Sequence, residues 1–262
     1  MTTFSARSKY FLPALFLLLA SCQPPLEATP VSERGYQVID TLPHPNRPFT
    51  QGLVIDSGHI IESSGLYEKS YITAYALSAA DTPIWKIPVR KDVFAEGLTV
   101  FDDKIYLLSW KRGVLKIYDR HSQQQLNTIN YSGEGWGLTH NGEQLIRSDG
   151  SHRLFFHDPD SFALTATLEV HEDIHKITRL NELEYAQGLI WANIWMQNRI
   201  VAIDPTSGQV IYSVDLSKLA QQENHSDANW VLNGIARDEQ RDGYWVTGKR
   251  WRQLYLIKLD SE

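Results

Sequence analysis

Apolar positions in this chain gather in short runs separated by polar turn residues. The clearest pair is Leu98 to Phe101 and Lys104 to Trp110, joined by Asp102-Asp103. Ser57-Gly58 and Asn141-Gly142 sit at corresponding places between other pairs and are strong hairpin signals. Each hairpin starts on one phrase: a polar or aromatic residue, usually Gly, then Leu or Ile. The copies are Gln51-Gly52-Leu53, Glu96-Gly97-Leu98, Trp136-Gly137-Leu138, Asn181-Glu182-Leu183 and Asn233-Gly234-Ile235. Their central residues are spaced by 45, 40, 45 and 52. A near-constant step of this size predicts an all-β fold, a five-bladed β-propeller with one four-stranded antiparallel blade per repeat.

The repeat predicts the blades in some detail. Blade one spans about Phe49 to Arg90, with outer strands Tyr71 to Leu77 and Ile84 to Val89. Blade two spans Phe94 to Asn130, with Val114 to Tyr118 as its third strand. Blade three runs from Gly135 to about Ile174 and holds Leu154 to His157 and Ala163 to Val170. Blade four runs from about Arg179 to Leu216. Blade five, Asn233 to Leu259, has only three strands before the chain ends. Tyr36 to Thr41 is expected to supply its fourth strand, closing the ring and removing the exposed edge. Ser217 to Trp230 leads into blade five and is expected over the site-bearing face as a short helix or lid.

A second anchor lies 13 residues past each central position: Gly65, Trp110, Gly150 and Trp195. In the last copy a longer turn, Asp238 to Gly243, moves the equivalent to about Lys249. Antiparallel pairing brings the end of each second strand beside the start of the first. Trp110, Trp195 and Lys249 are therefore expected on the same face as Gln51, Glu96, Trp136, Asn181 and Asn233. The first strands line the channel, so these groups converge at one mouth of it. The residue before the central position differs in every copy, which points to one assembled site rather than repeated packing. Glu96, between Phe94 and Gly97, is the sharpest candidate. A carboxyl group desolvated among aromatics has a raised pKa and suits proton transfer near neutral pH.

The first 21 residues are expected to lie outside the fold. Arg7 and Lys9 precede an apolar run, Tyr10 to Ala20, which reads as a secretory signal. Leu19-Ala20-Ser21-Cys22 resembles a bacterial lipobox, and Cys22 is the chain's only cysteine. The expected organisation is a signal peptide over 1–21, a lipid anchor and tether over 22–35, and a propeller over 36–262. The protein is then exported, lipid-anchored through Cys22 at the periplasmic face of a bacterial membrane, and monomeric. Without the signal the chain carries 23 basic and 31 acidic residues. That balance argues against nucleic acid as a partner. His171 and His175 fall in a loop without zinc-site spacing, and no metal or cofactor is expected.

Several phrases match a known family in order along nearly the whole domain. They include Phe49-Thr50-Gln51-Gly52-Leu53, Glu62-Ser63-Ser64-Gly65-Leu66-Tyr67, Phe94-Ala95-Glu96-Gly97-Leu98-Thr99, Gly135-Trp136-Gly137-Leu138-Thr139 and Ser148-Asp149-Gly150. Asn181-Glu182-Leu183-Glu184-Tyr185, Trp191-Ala192-Asn193-Ile194-Trp195, Leu232-Asn233-Gly234-Ile235-Ala236 and Val246-Thr247-Gly248-Lys249 continue the match. The chain resembles the plant and bacterial glutaminyl cyclases. The resemblance implies a five-bladed propeller that converts the N-terminal glutamine of peptides or proteins to pyroglutamate, releasing ammonia without a catalytic metal. It places the proton-transfer carboxyl on Glu96 and the other site residues on Gln51, Trp110, Trp136, Asn181, Trp195 and Lys249. Phe49 and the Trp walls would hold the substrate's apolar stem, with Phe94 beside them. Two other readings are an anchored propeller that only binds a partner protein, and a calcium-dependent lactonase-like hydrolase. The second would need several carboxylates at the axis, where the equivalent positions offer only Glu96 clearly, with Glu182 and Glu184 adjoining.

Overall fold

The structure, a computed structural model, describes residues 1, 31–78, 82–223 and 227–260. The expected signal, Cys22 and most of the tether lie outside these residues. Five blades surround a central channel, four of them four-stranded sheets and one gaining a fifth strand, with a two-stranded ladder of His171–Glu172 and His175–Lys176 between blades three and four. Blade one is Thr50–Asp56, His59–Ser64, Tyr71–Ala76 and Trp85–Pro88; blade two is Ala95–Phe101, Lys104–Ser109, Val114–Asp119 and Gln125–Asn130. Blade three is Leu138–His140, Leu145–Ser148, Arg153–His157 and Leu164–Glu169. Blade four is Leu180–Ala186, Leu189–Ile194, Arg199–Ile203 and Val210–Asp215. Blade five is Leu232–Asp238, Gly243–Gly248, Gln253–Leu259 and, from the other end of the chain, Tyr36–Pro43. The expected closure is observed, with Tyr36 opposite Leu259 and Pro43 opposite Gln253. The chain also joins the fold earlier than expected. Ser32–Glu33 pairs in parallel with Tyr212 and Ser213 as a fifth strand on blade four.

The apolar core lies between blades. Five clusters of buried side chains correspond to the five blade-to-blade interfaces. Between blades one and two, for example, Ile61 and Ile72 meet Leu98 and Leu107. Between blades five and one, Trp245 and Leu256 meet Leu53 and Tyr75. Alternation along each strand supplies both faces of a blade. Each blade therefore packs on two neighbours, and none of them buries its faces alone.

The phrase that marks each repeat is a β-bulge. Strand register shifts between Thr50 and Gly52, between Ala95 and Leu98, between Leu180 and Leu183, and between Leu232 and Ile235. In blade three the regular strand starts only at Leu138, and Trp136 N–H donates to Ser148 O at 3.0 Å ahead of it. A bulge frees one residue from the ladder and re-aims its side chain. The freed residues include Gln51, Glu96, Asn181 and Asn233.

The adjoining glycines let the first strands close around the channel. A Cβ on Gly52 would stand 2.4 Å from Leu98 N, and one on Gly97 2.5 Å from Leu138 N. One on Gly137 would stand 2.0 Å from Asn181 O. Blade four carries Glu182 in place of glycine. Its buried carboxylate accepts from Ile235 N–H at 2.7 Å and Leu53 N–H at 3.3 Å, tying blades five and one across the axis.

Ser217–Glu223 is a short helix, as the lid segment suggested, but it is pinned to blade five rather than laid across the channel. Leu219 packs in the cluster that holds Trp251 and Leu232. Glu223 accepts from Arg252 N–H and Tyr255 O–H, each at 2.8 Å.

Candidate active site

A cavity of about 350 Å³ opens at one mouth of the channel. Nine of the residues expected at this mouth line it, whereas Asn233, expected with them, does not and is bonded to Thr50 and Gln51 instead. Four are polar: Gln51, Glu96, Asn181 and Lys249. Five are aromatic: Phe49, Phe94, Trp110, Trp136 and Trp195. The bulges deliver Gln51, Glu96 and Asn181 from the starts of first strands. Trp110, Trp195 and Lys249 stand at the ends of second strands, as the second anchor required. Where that anchor is glycine, a neighbouring ring takes the space. A Cβ on Gly65 would meet the Phe94 ring at 2.3 Å, and one on Gly150 would meet the Trp136 ring at 2.6 Å.

Glu96 is the chemical centre of the cavity floor. It is 5% exposed. Gln51 Nε2 donates to its Oε1 at 2.8 Å. Gln51 is itself held from behind, since Asn233 Nδ2 donates to Thr50 O at 2.9 Å and reaches Gln51 Oε1 at 3.4 Å. Burial pushes the Glu96 carboxyl well above the usual carboxylate range. The charge of Lys249 opposes that rise and the charge of Glu134 adds to it. Burial also pushes Lys249 down to about 8, with Glu96 acting against the fall. Desolvation thus leads for both groups and brings an acid and an amine toward neutrality at one site. Among the described residues, Lys249 Nζ and the Asn181 amide make no hydrogen bond. Both are left as donors to whatever fills the cavity.

The aromatic walls interlock. Phe94 meets Phe49, Tyr67 and Trp110 edge-on at centroid distances of 6.2, 5.4 and 5.5 Å. Trp136 and Trp195 cross at 90° and 5.6 Å. Two of the three indole N–H groups are spent on a residue outside the cavity lining. Trp110 Nε1 and Trp136 Nε1 both donate to Glu134 Oε2, at 2.7 and 2.9 Å. Those two rings are therefore apolar walls, not donors.

Glu134 was not legible in the sequence, because its partners come from two blades. Three lining residues were also missed: Leu66, Asn229 and Arg250. Asn229 comes from the segment expected to cover the site. Arg250 directly follows Lys249 and has a left-handed backbone, φ 63°, held by its N–H donating to Pro48 O at 2.7 Å. Glu182 and Glu184 are not in the cavity wall. Glu182 is spent on Ile235 and Leu53, and Glu184 accepts from Arg237 N–H at 2.8 Å.

The arrangement suits a small polar group held by aromatic walls, with one buried carboxyl able to move a proton beneath it. The sequence as a whole points the same way. A model of the glutamine cyclotransferase family matches residues 12–259. Glutaminyl-peptide cyclotransferase of Arabidopsis thaliana is 33% identical over 228 residues, covering 85% of this chain and 71% of that protein. The crystal structure of Myxococcus xanthus glutaminyl cyclase superposes with a TM-score of 0.82 at 37% identity, covering 88% of this chain and 99% of that one. The chain belongs to the glutamine cyclotransferase family.

Proposed function

We propose that this protein cyclises the N-terminal glutamine of peptides or proteins to pyroglutamate, releasing ammonia, with Glu96 as the proton shuttle. The observation that carries the reading is Glu96 itself: a buried carboxyl on the floor of an aromatic cavity, oriented by Gln51 and facing Lys249 and Asn181. The substrate's α-amine nitrogen attacks the carbon of its own side-chain amide. A C–N bond forms and closes a five-membered lactam, and the bond to the departing nitrogen breaks. One proton must pass from the attacking to the leaving nitrogen. A single carboxyl group raised above its usual range can take that proton and return it.

Both reacting groups belong to one residue, so the cavity mainly has to fold that residue into a reactive shape. Phe49, Phe94 and the Trp walls enclose its short apolar stem. Asn181 and Lys249 are the donors left for the negative charge that develops on the amide oxygen. The rest of the peptide leaves through the open mouth, so both short peptides and proteins fit. The test is release of ammonia from a Gln-initiated tripeptide, with the N-acetylated tripeptide as control. No ammonia from the unblocked peptide would remove the reading.

The expected anchor belongs to the same proposal. Leu19-Ala20-Ser21-Cys22 supports lipidation of Cys22 and a place at the periplasmic face of a bacterial membrane. Cys22→Ser should release the protein from membranes. A wild-type protein without lipid mass on its N-terminal peptide would refute the anchor and leave the cyclase reading intact.

A further inference from the structure

We infer that Glu134 is a positioning residue for the cyclisation: its carboxylate is the common brace that fixes the Trp110 and Trp136 walls around the folded first residue of the substrate. The inference rests on the proposed function. Glu134 lies in the loop between blades two and three, and a single oxygen, Oε2, accepts both indole N–H groups. Each braced indole holds another ring, Trp110 against Phe94 and Trp136 against Trp195. One carboxylate therefore fixes four of the five aromatic walls. Hydrogen bonds to a charged acceptor are the stronger kind, and two of them converging on one atom constrain both rings at once.

The brace is itself held firmly. Arg147 Nη1 donates to Glu134 O. Arg147 is buried, with its guanidinium 4.4 Å from the Phe155 ring centroid and 5.1 Å from that of Tyr131. Its Nε donates to His157 Nε2 at 3.3 Å, and the other ring nitrogen of His157 lies 3.0 Å from Phe162 O. His157 can accept from Arg147 only while it is neutral. Burial pushes it down to about 4 and so keeps it neutral around pH 7. Gly135 N–H donates to Trp110 O at 3.0 Å, fixing the loop to blade two directly after Glu134.

Glu134 also acts on the reaction centre by charge. The charged groups acting on Glu96 are Lys249, from the end of blade five's second strand, and Glu134; the first favours the carboxylate and the second opposes it. Substitution therefore separates two effects. Glu134→Gln keeps an acceptor for the indoles but removes the charge. Glu134→Ala removes both.

The experiment uses the full-length protein and a Gln-initiated tripeptide amide. It reads kcat and KM, the pH profile of kcat/KM and near-ultraviolet circular dichroism. The substrate amine is titrated separately, so that the limb belonging to Glu96 can be identified. For Glu134→Gln, KM should stay within about threefold of wild type, as a neutral acceptor replaces a charged one. The Glu96 limb should move to lower pH. For Glu134→Ala, loss of both charge-assisted bonds should raise KM by roughly tenfold or more. Its near-ultraviolet spectrum should change while its far-ultraviolet spectrum does not. A Glu134→Ala protein with wild-type KM and pH profile would overturn the inference, as would equal KM losses in both variants. If Glu134→Ala does not fold, Glu134→Leu, which fills the space without an acceptor, decides in its place, and a wild-type KM in that variant overturns the inference. A wild-type protein that releases no ammonia would instead refute the function beneath it.

Discussion

Gly137→Ala tests how the ring holds the site. Gly137 has no left-handed backbone to lose, so alanine is acceptable there by conformation and the effect is steric. Its Cβ would stand 2.0 Å from Asn181 O, 2.9 Å from Asn181 C and 2.9 Å from Glu182 Cα. All three are main-chain atoms of the neighbouring blade, so no flexible side chain can swing aside. The contact is also tied in place, since Ser148 Oγ donates to Asn181 O at 2.7 Å and accepts from Gly137 N–H at 2.7 Å. Overpacking costs about 1–3 kcal/mol where side chains can yield. With main chain on the receiving side, the upper end of that range applies. A domain of this size loses roughly 2–4 °C in Tm per kcal/mol, so about 6–12 °C is expected. The displaced segment carries Asn181 into the cavity, and a misplacement near 1 Å can cost about 100-fold in rate. Thermal melts by circular dichroism and kcat/KM on a Gln-initiated peptide measure the two losses. Gly188→Ala is the control. Gly188 has φ 77° and open space, so alanine there carries only the left-handed penalty of about 1–2 kcal/mol. If Gly137→Ala melts no lower than Gly188→Ala and keeps its kcat/KM, the close approach of first strands is not what holds the ring.

Glu96→Gln should lower kcat by about 10²–10⁴ with a small change in KM, because Gln keeps the shape and cannot carry the proton; a near-normal kcat would remove Glu96 from the mechanism. Gln51→Leu deletes the one side-chain donor to the Glu96 carboxylate, so the charged form loses support and the Glu96 pKa rises further. The Glu96 limb of the pH profile should therefore move up, since a donor to the carboxylate favours the charged form; a profile that stays in place or moves down refutes the role assigned to that bond. Deleting residues 23–30 should leave the melting temperature unchanged, whereas deletion through Pro43 strips the fourth strand from blade five and should cause aggregation, scored by light scattering.

The architecture was legible because a propeller writes its period into the sequence. The step between Gln51-Gly52, Glu96-Gly97 and Trp136-Gly137 survives because a close approach between adjacent first strands requires glycine at each. The count of strands in blade five required a donor from elsewhere, and Tyr36–Pro43 supplies it. Seven lining residues, Gln51, Glu96, Trp110, Trp136, Asn181, Trp195 and Lys249, followed from the same arithmetic, and Phe49 and Phe94 from the resemblance. What the period could not carry is contact between different parts of the repeat. Glu134 stands two residues before Trp136, but its hold on Trp110 depends on how the loop between blades two and three crosses. Asn229 arrives from the connection into blade five, which has no counterpart elsewhere in the ring. Ser32–Glu33 looked like tether because two residues carry no strand signal; their pairing exists only because the edge of blade four is there to receive it. The bulges were invisible for a related reason. A hairpin with one or two unpaired residues has the same apolar pattern as a regular one.

The bulges also explain how one fold gives two buried carboxyl groups opposite roles. Glu96 and Glu182 occupy adjacent places in the repeat phrase, the first before the central position and the second at it. Burial pushes both well above the usual carboxylate range. Burial alone therefore does not tell a reactive acid from a structural one. Their partners do. Glu182 accepts backbone N–H groups from blades one and five, and those bonds pull against the rise. Its oxygens are committed to holding the ring. Glu96 receives a single side-chain donor, Gln51, and otherwise faces the cavity and the Lys249 charge. The shift of one place along the bulge turns one carboxyl toward the axis and the other toward the mouth. A carboxyl saturated by main-chain donors cannot exchange a proton without loosening the ring, whereas Glu96 can do so and leave every backbone bond intact. The carboxyl proposed to transfer the proton thus stands apart from the acid that ties the blades together, although the two lie on the same set of strands.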